Sequence, residues 1–249
     1  RGAPKALPSF RTRTIRWGSS MHNRASRASA IAGVVCLVLF ALLAALLLTV
    51  DRAPIAGDGS LVGLASLNAS AHSLLGESHL AETLSNVLLV VSLASMLALA
   101  VMGIRQIIVR RSLAGVSRDL WLLLGLYVVM LVLYVLFNHV SINNRPLLQD
   151  GVCEPSFPSS HTLLAVTTLG AAMVQAGQRM RQGGARTTVV AVCAVAMAAL
   201  VIARALSGVH WATDILGGIL LGAALVAFYR AIAFGADGDK AARGKHARR

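Results

Sequence analysis

With 249 residues, 56% of them hydrophobic and only 13% charged, and a mean hydropathy of +0.71, the chain is too apolar for a water-soluble domain. Soluble domains carry about 25% charged residues. The net charge of +13 would suit nucleic acid, but the basic residues flank apolar runs, and that placement excludes a nucleic-acid partner.

A bilayer core is crossed by about 20 predominantly apolar residues. The first uncharged run extends from Ala28 to Val50, the second from Thr83 to Ile104 and the third from Leu120 to Phe137. A fourth, weaker run covers Thr162 to Gly177, and a fifth covers Thr187 to Ala203. The sixth begins near Trp211 and continues to Gly235, with Asp214 near its start and Arg230 near its end. Thr, Gly and Gln in the fourth run suit a helix packed inside a bundle better than one facing lipid. The first run is longer than a signal-peptide core of roughly 7 to 15 residues and is expected to be retained. Cys36, Cys153 and Cys193 follow neither a disulfide framework nor a metal-type spacing.

The expected fold is therefore all-α, with six transmembrane helices in one bundle. Residues 1–27 form a basic N-terminal segment, 28–235 the membrane domain and 236–249 a basic tail. Six spans put both termini on one side, together with the Arg105–Asp119 and Arg179–Arg186 loops. That side holds 20 of the 23 Lys and Arg residues, and the other holds only Arg52, Arg145 and Arg204. The asymmetry places both termini in the cytoplasm and directs the basic charge at anionic lipids there. In the first outer loop, Leu61, Leu64, Leu67, Ala71, Leu74 and Leu75 recur at near-helical spacing and predict a short interfacial helix.

The polar residues with chemical potential gather at the outer ends of these spans. Arg145-Pro146 lies in the second outer loop, Pro158-Ser159-Ser160-His161 at the start of the fourth span, Arg204 at the exit of the fifth, and His210 and Asp214 at the entrance to the sixth. Singly, these residues read as anchors, helix caps or an i,i+4 pair. Ionisable groups at membrane depth are costly, however, and their shared position favours a site. Arg145 and Arg204 can meet phosphate oxygens, and the amides after Pro158, with the Ser159 and Ser160 hydroxyls, can line an anion pocket. Asp214, one turn from His210 on the same helix face, would hold one ring nitrogen and leave the other as a nucleophile. His161 would protonate the leaving oxygen. No carboxylate cluster is available for Mg²⁺ or Ca²⁺, so no metal or other cofactor is expected.

These elements resemble the three motifs of the type 2 phosphatidic acid phosphatase superfamily, written K-x6-R-P, P-S-G-H and S-R-x5-H-x3-D. The resemblance covers Asn138 to Asp214. It implies a phosphohistidine on His210 oriented by Asp214, acid catalysis by His161, and phosphate binding by Arg145, Ser159, Ser160 and Arg204. It also implies metal-independent turnover of lipids entering sideways from the outer leaflet. Three positions depart from the pattern: Asn138 stands where the lysine would fall, Ser160 replaces the glycine and Ala203 replaces the serine. His139 is a candidate to substitute partly for the missing lysine.

The expected function is a plasma-membrane lipid phosphatase or diphosphatase with its site on the extracytoplasmic side. Polyprenyl diphosphate of cell-wall synthesis (undecaprenyl diphosphate), phosphatidylglycerol phosphate and phosphatidic acid are the candidate substrates, the first slightly favoured. The alternatives are a lipid phosphotransferase on the same scaffold and a non-catalytic lipid-phosphate-binding membrane protein.

Overall fold

The computed structural model describes the backbone of residues 11–148 and 151–246 and the side chains of 24–148 and 151–235. Parts of the basic N-terminal segment and of the tail thus lie outside the described residues. The chain is all-helical: α1 (Arg11–Thr49), α2 (Ala65–Leu75), α3 (His79–Arg110), α4 (Arg118–His139), α5 (Ser160–Arg179), α6 (Gly184–Leu206) and α7 (Ala212–His246). Each expected span falls on a longer helix, with Val50 just past the end of α1 and Trp211 just before α7, because flanking charged residues end an apolar run without ending helical backbone. Five of these helices are long and apolar enough to cross a membrane: α1 from Arg24, α3, α4, α6, and α7 as far as Gly235. The chain is an integral membrane protein.

The polar fourth run becomes α5, the central helix, which packs on α3, α4, α6 and α7. Thr162, Thr167, Thr168 and Gln175 are buried there together with Leu163 and Leu169. Close approach of α7 depends on small residues. A side chain at Gly218 would meet the Ser159 carbonyl at 2.8 Å, and one at Gly222 would meet Val166 Cβ at 2.9 Å. A small-x3-small face of this kind lets two helix backbones come together without a hydrophobic driving force. The helix α1 lies along α7, whereas α3 and α4 both rest on α5, and Met96, Leu99 and Met102 of α3 pack against the cluster that holds Leu120 and Leu123 of α4.

The expected short helix in the first outer loop is present as α2. Its buried face carries Ala65 and Asn68, and Leu67 and Leu74 are exposed on the other. Asn68 ties this loop to α7, donating from Nδ2 to the Gly63 carbonyl at 2.9 Å and to Thr213 Oγ1 at 3.0 Å.

At the opposite end of the bundle, Asp119 of α4 pairs with Arg179 of α5 and accepts a 3.0 Å hydrogen bond from Gln175. Gln175 also donates to Tyr229 of α7 at 2.7 Å, so three helices are joined. Removing one partner leaves the rest partly buried and unsatisfied. Asp119→Ala is expected to cost on the order of 1–3 kcal/mol of stability. It should lower the melting temperature in detergent while the surviving protein keeps its turnover.

Candidate active site

The other end of the bundle gathers the polar residues. Arg145 is held by a short antiparallel pairing in which its amide donates to the Glu154 carbonyl at 3.1 Å and the Ser156 amide donates to the Asn143 carbonyl at 2.8 Å. Its Nη2 meets Glu154 Oε2 at 2.9 Å, while Nε and Nη1 are buried without a hydrogen-bond partner. Two donors of the planar fork are thus left for an incoming anion.

Ser159 precedes α5 and is fully buried. Its amide donates to the Asp214 carbonyl at 2.9 Å, and its hydroxyl accepts from Thr162 at 3.2 Å. This corrects one expectation: the Ser159 amide is spent on α7, so the open N–H groups of the α5 N-terminus begin at Ser160. Ser160 is the first helical residue and only half-buried.

His161, on the first turn of α5, bonds Asn86 Oδ1 through Nε2 at 2.9 Å, and its Nδ1 is buried and unpartnered. Arg204, in the last turn of α6, is 2% exposed; Nη1 donates to Ser85 Oγ at 3.3 Å, and Nε has no partner. Both contacts come from α3, an element without a motif residue. Sequence reasoning missed Ser85 and Asn86, although two adjacent polar side chains near the end of an apolar run are themselves a signal.

His210 was expected on the same helix face as Asp214. It lies instead in the turn before α7, which begins at Ala212. The turn is shaped by Gly208, at φ +73°, and a side chain there would also meet Glu77. Asp214 Oδ2 accepts from the Trp211 amide at 3.0 Å, the reach-back of a residue in the first helical turn to the cap amide. The same oxygen lies 3.6 Å from His210 Nδ1, longer than a hydrogen bond but close enough to orient the ring. His210 Nε2 has no partner. Asn143 Oδ1 accepts from the Gly63 amide at 2.9 Å, and the Ser156 hydroxyl donates to the Asn143 carbonyl at 3.1 Å.

Burial, reinforced by the charges of Arg204, Arg145 and His161, holds the His210 imidazole well below its ordinary pKa. These three groups, from a loop and two other helices, thus act on one ring, which stays neutral with a free nitrogen lone pair. Asn138 and His139 are exposed at the end of α4, and His139 Nδ1 is occupied by the Val135 carbonyl at 2.8 Å. Among the described residues, neither makes a hydrogen bond or ion pair with the buried cluster.

The family model described as "PAP2 superfamily" matches residues 134–236, which include all of the motif residues. A solved structure of a transmembrane PAP2-type phosphatidylglycerolphosphate phosphatase from Bacillus subtilis aligns with a TM-score of 0.52 and 21% identity. The alignment covers 82% of this chain and 96% of that one, and it shows a shared fold. A comparison with curated proteins gives no match. The matched segment begins in α4, so Ser85 and Asn86 reach the site from outside it.

Proposed function

We propose that this protein is a metal-independent membrane lipid phosphatase that works through a phosphohistidine on His210. The observation carrying this reading is the neutral, buried His210 with an unpartnered Nε2, near two arginines that keep unspent N–H groups. Binding alone would need the arginines but no nucleophile beside them. Membrane burial of the whole bundle favours a lipid ester, with a polyprenyl diphosphate, phosphatidylglycerol phosphate and phosphatidic acid as candidates.

In the first step His210 Nε2 attacks phosphorus and the bond to the leaving oxygen breaks. The proton for that oxygen comes from His161 Nδ1, whose affinity for it burial and the charges of Arg204 and Arg145 hold down until the phosphate anion enters beside the ring, while Asn86 Oδ1 accepts from Nε2–H of the same ring. Arg145 and Arg204 offset the charge on the non-bridging oxygens. In the second step His161 takes a proton from water, the hydroxide oxygen bonds phosphorus, the N–P bond breaks and inorganic phosphate leaves. Asp214 stabilises His210 while the ring carries positive charge.

The preponderance of Lys and Arg at the end away from His210 supports six spans with cytoplasmic termini and a site at the outer face of the plasma membrane. The test is phosphate release from a lipid panel by detergent-solubilised protein. Full activity is expected in excess EDTA, and loss of activity restored by one divalent ion would sink the metal-independent scheme.

The depressed His210 pKa has a sign that can be checked. The folded ring binds its proton only well below the usual value of about 6.5, so the nucleophile stays competent as pH falls through that value. Rapid-quench formation of the phosphoenzyme should persist at about pH 5.5. The unfolded chain takes up that proton first, so this group's stability contribution declines as pH falls below about 6.5.

A further inference from the structure

At the end of the bundle away from His210, α6 and α7 diverge around α5 and leave a cleft of about 540 Å³. That volume is within the ~300–1,000 Å³ range of small-molecule sites. Its mouth carries Gln178, Arg186 and Arg230, and Val166, Gly170 and Val226 are among its apolar lining. Among the described residues, Arg186 and Arg230 make no hydrogen bond or ion pair, whereas nearby Asp119 is committed to Arg179. From Gly177 to Val166 the slot follows α5 for about 16 Å, at ~1.5 Å per residue.

Two cations at the mouth of an apolar slot in a membrane domain select an amphiphile with an anionic head. A free anion would fill only the mouth. The chain's own ends, with Arg1 and Lys5 or Arg248 and Arg249, are basic and would be repelled. We infer that this cleft holds one anionic phospholipid, with its phosphodiester against Arg186 and Arg230 and an acyl chain between α6 and α7. The bound lipid would fill the gap between the helix that carries Arg204 and the helix that carries Asp214. It is not the hydrolysed substrate, because it lies at the far end of the bundle from His210.

The experiment is native mass spectrometry and thermal melting of the full chain in detergent, with phosphatidylglycerol or phosphatidylcholine of identical acyl chains. Wild type is expected to retain one phosphatidylglycerol and to melt higher with it than with phosphatidylcholine. At roughly 1 kcal/mol per basic residue, Arg186→Gln with Arg230→Gln should weaken retention about 30-fold while leaving phosphate release unchanged. Gly177→Leu tests the slot with both arginines kept. A Cβ there meets only Arg186 Nη2, at 3.6 Å, so the variant should fold and exclude the acyl chain. Equal retention of the two lipids, retention unaffected by either variant, or equal stabilisation by inorganic phosphate alone would overturn the inference. So would a dimer that forms through this face and displaces the lipid.

Discussion

Replacing His210 by alanine or glutamine is expected to lower lipid phosphate hydrolysis by at least about 10⁴-fold. Loss of a nucleophile in a triad-like unit costs this much because the remaining groups cannot form the covalent bond. Arg145 and Arg204 remain, each with unspent N–H donors, so binding of a lipid phosphonate should change by less than about tenfold. Glutamine is the more informative replacement, since His210 is only 4% exposed and alanine would open a cavity beside Asp214. Weak binding together with low turnover in the glutamine variant would point to a phosphate-binding role for His210 rather than a nucleophilic one.

The second large effect is expected at His161, and it should depend on the leaving group. An alkoxide needs a proton as the P–O bond breaks, whereas an aryl oxide does not. His161→Asn should therefore reduce turnover of an alkyl lipid phosphate by about 10³-fold, within the range of positioned acid catalysis, and an aryl phosphate far less. Asn86 provides a finer test of the same geometry. Its Oδ1 accepts only from a protonated Nε2, so the bond fixes the ring with Nδ1 buried and free to exchange a proton with the substrate. Asn86→Leu should reproduce the leaving-group dependence at roughly a tenth of normal turnover, and Asn86→Asp should restore it, because a carboxylate oxygen accepts the same bond. A loss in Asn86→Leu that is equal for alkyl and aryl esters would make the residue merely structural.

The helices were legible in the sequence because length and hydropathy are local properties. Each apolar run falls on a helix to within one residue, and the polar content of Thr162–Gly177 announced the buried position of α5. The motif residues were legible as well, because their spacing within 134–236 is short and specific. The side chains that hold them were not. Ser85 is 119 residues from Arg204, Asn86 is 75 from His161, and Asn68 is 145 from Thr213. Such contacts depend on how α2 and α3 pack, which no local pattern encodes. The His210–Asp214 relation was misread for a different reason. An i,i+4 spacing suggests a common helix face, but Gly208 turns the chain and α7 starts only at Ala212. The ring still reaches Asp214, from a turn rather than from a helical position.

The central claim is the covalent bond between His210 and phosphorus, and trapping that species tests it most directly. Solubilised protein is mixed with a lipid phosphate carrying labelled phosphorus, quenched within milliseconds, and split for acid and alkali treatment. The account predicts label on the wild-type protein that is lost in acid and survives alkali, as a phosphoramidate does, and no label on His210→Gln. Label persisting in His210→Gln, or normal phosphate release from that variant, would contradict it.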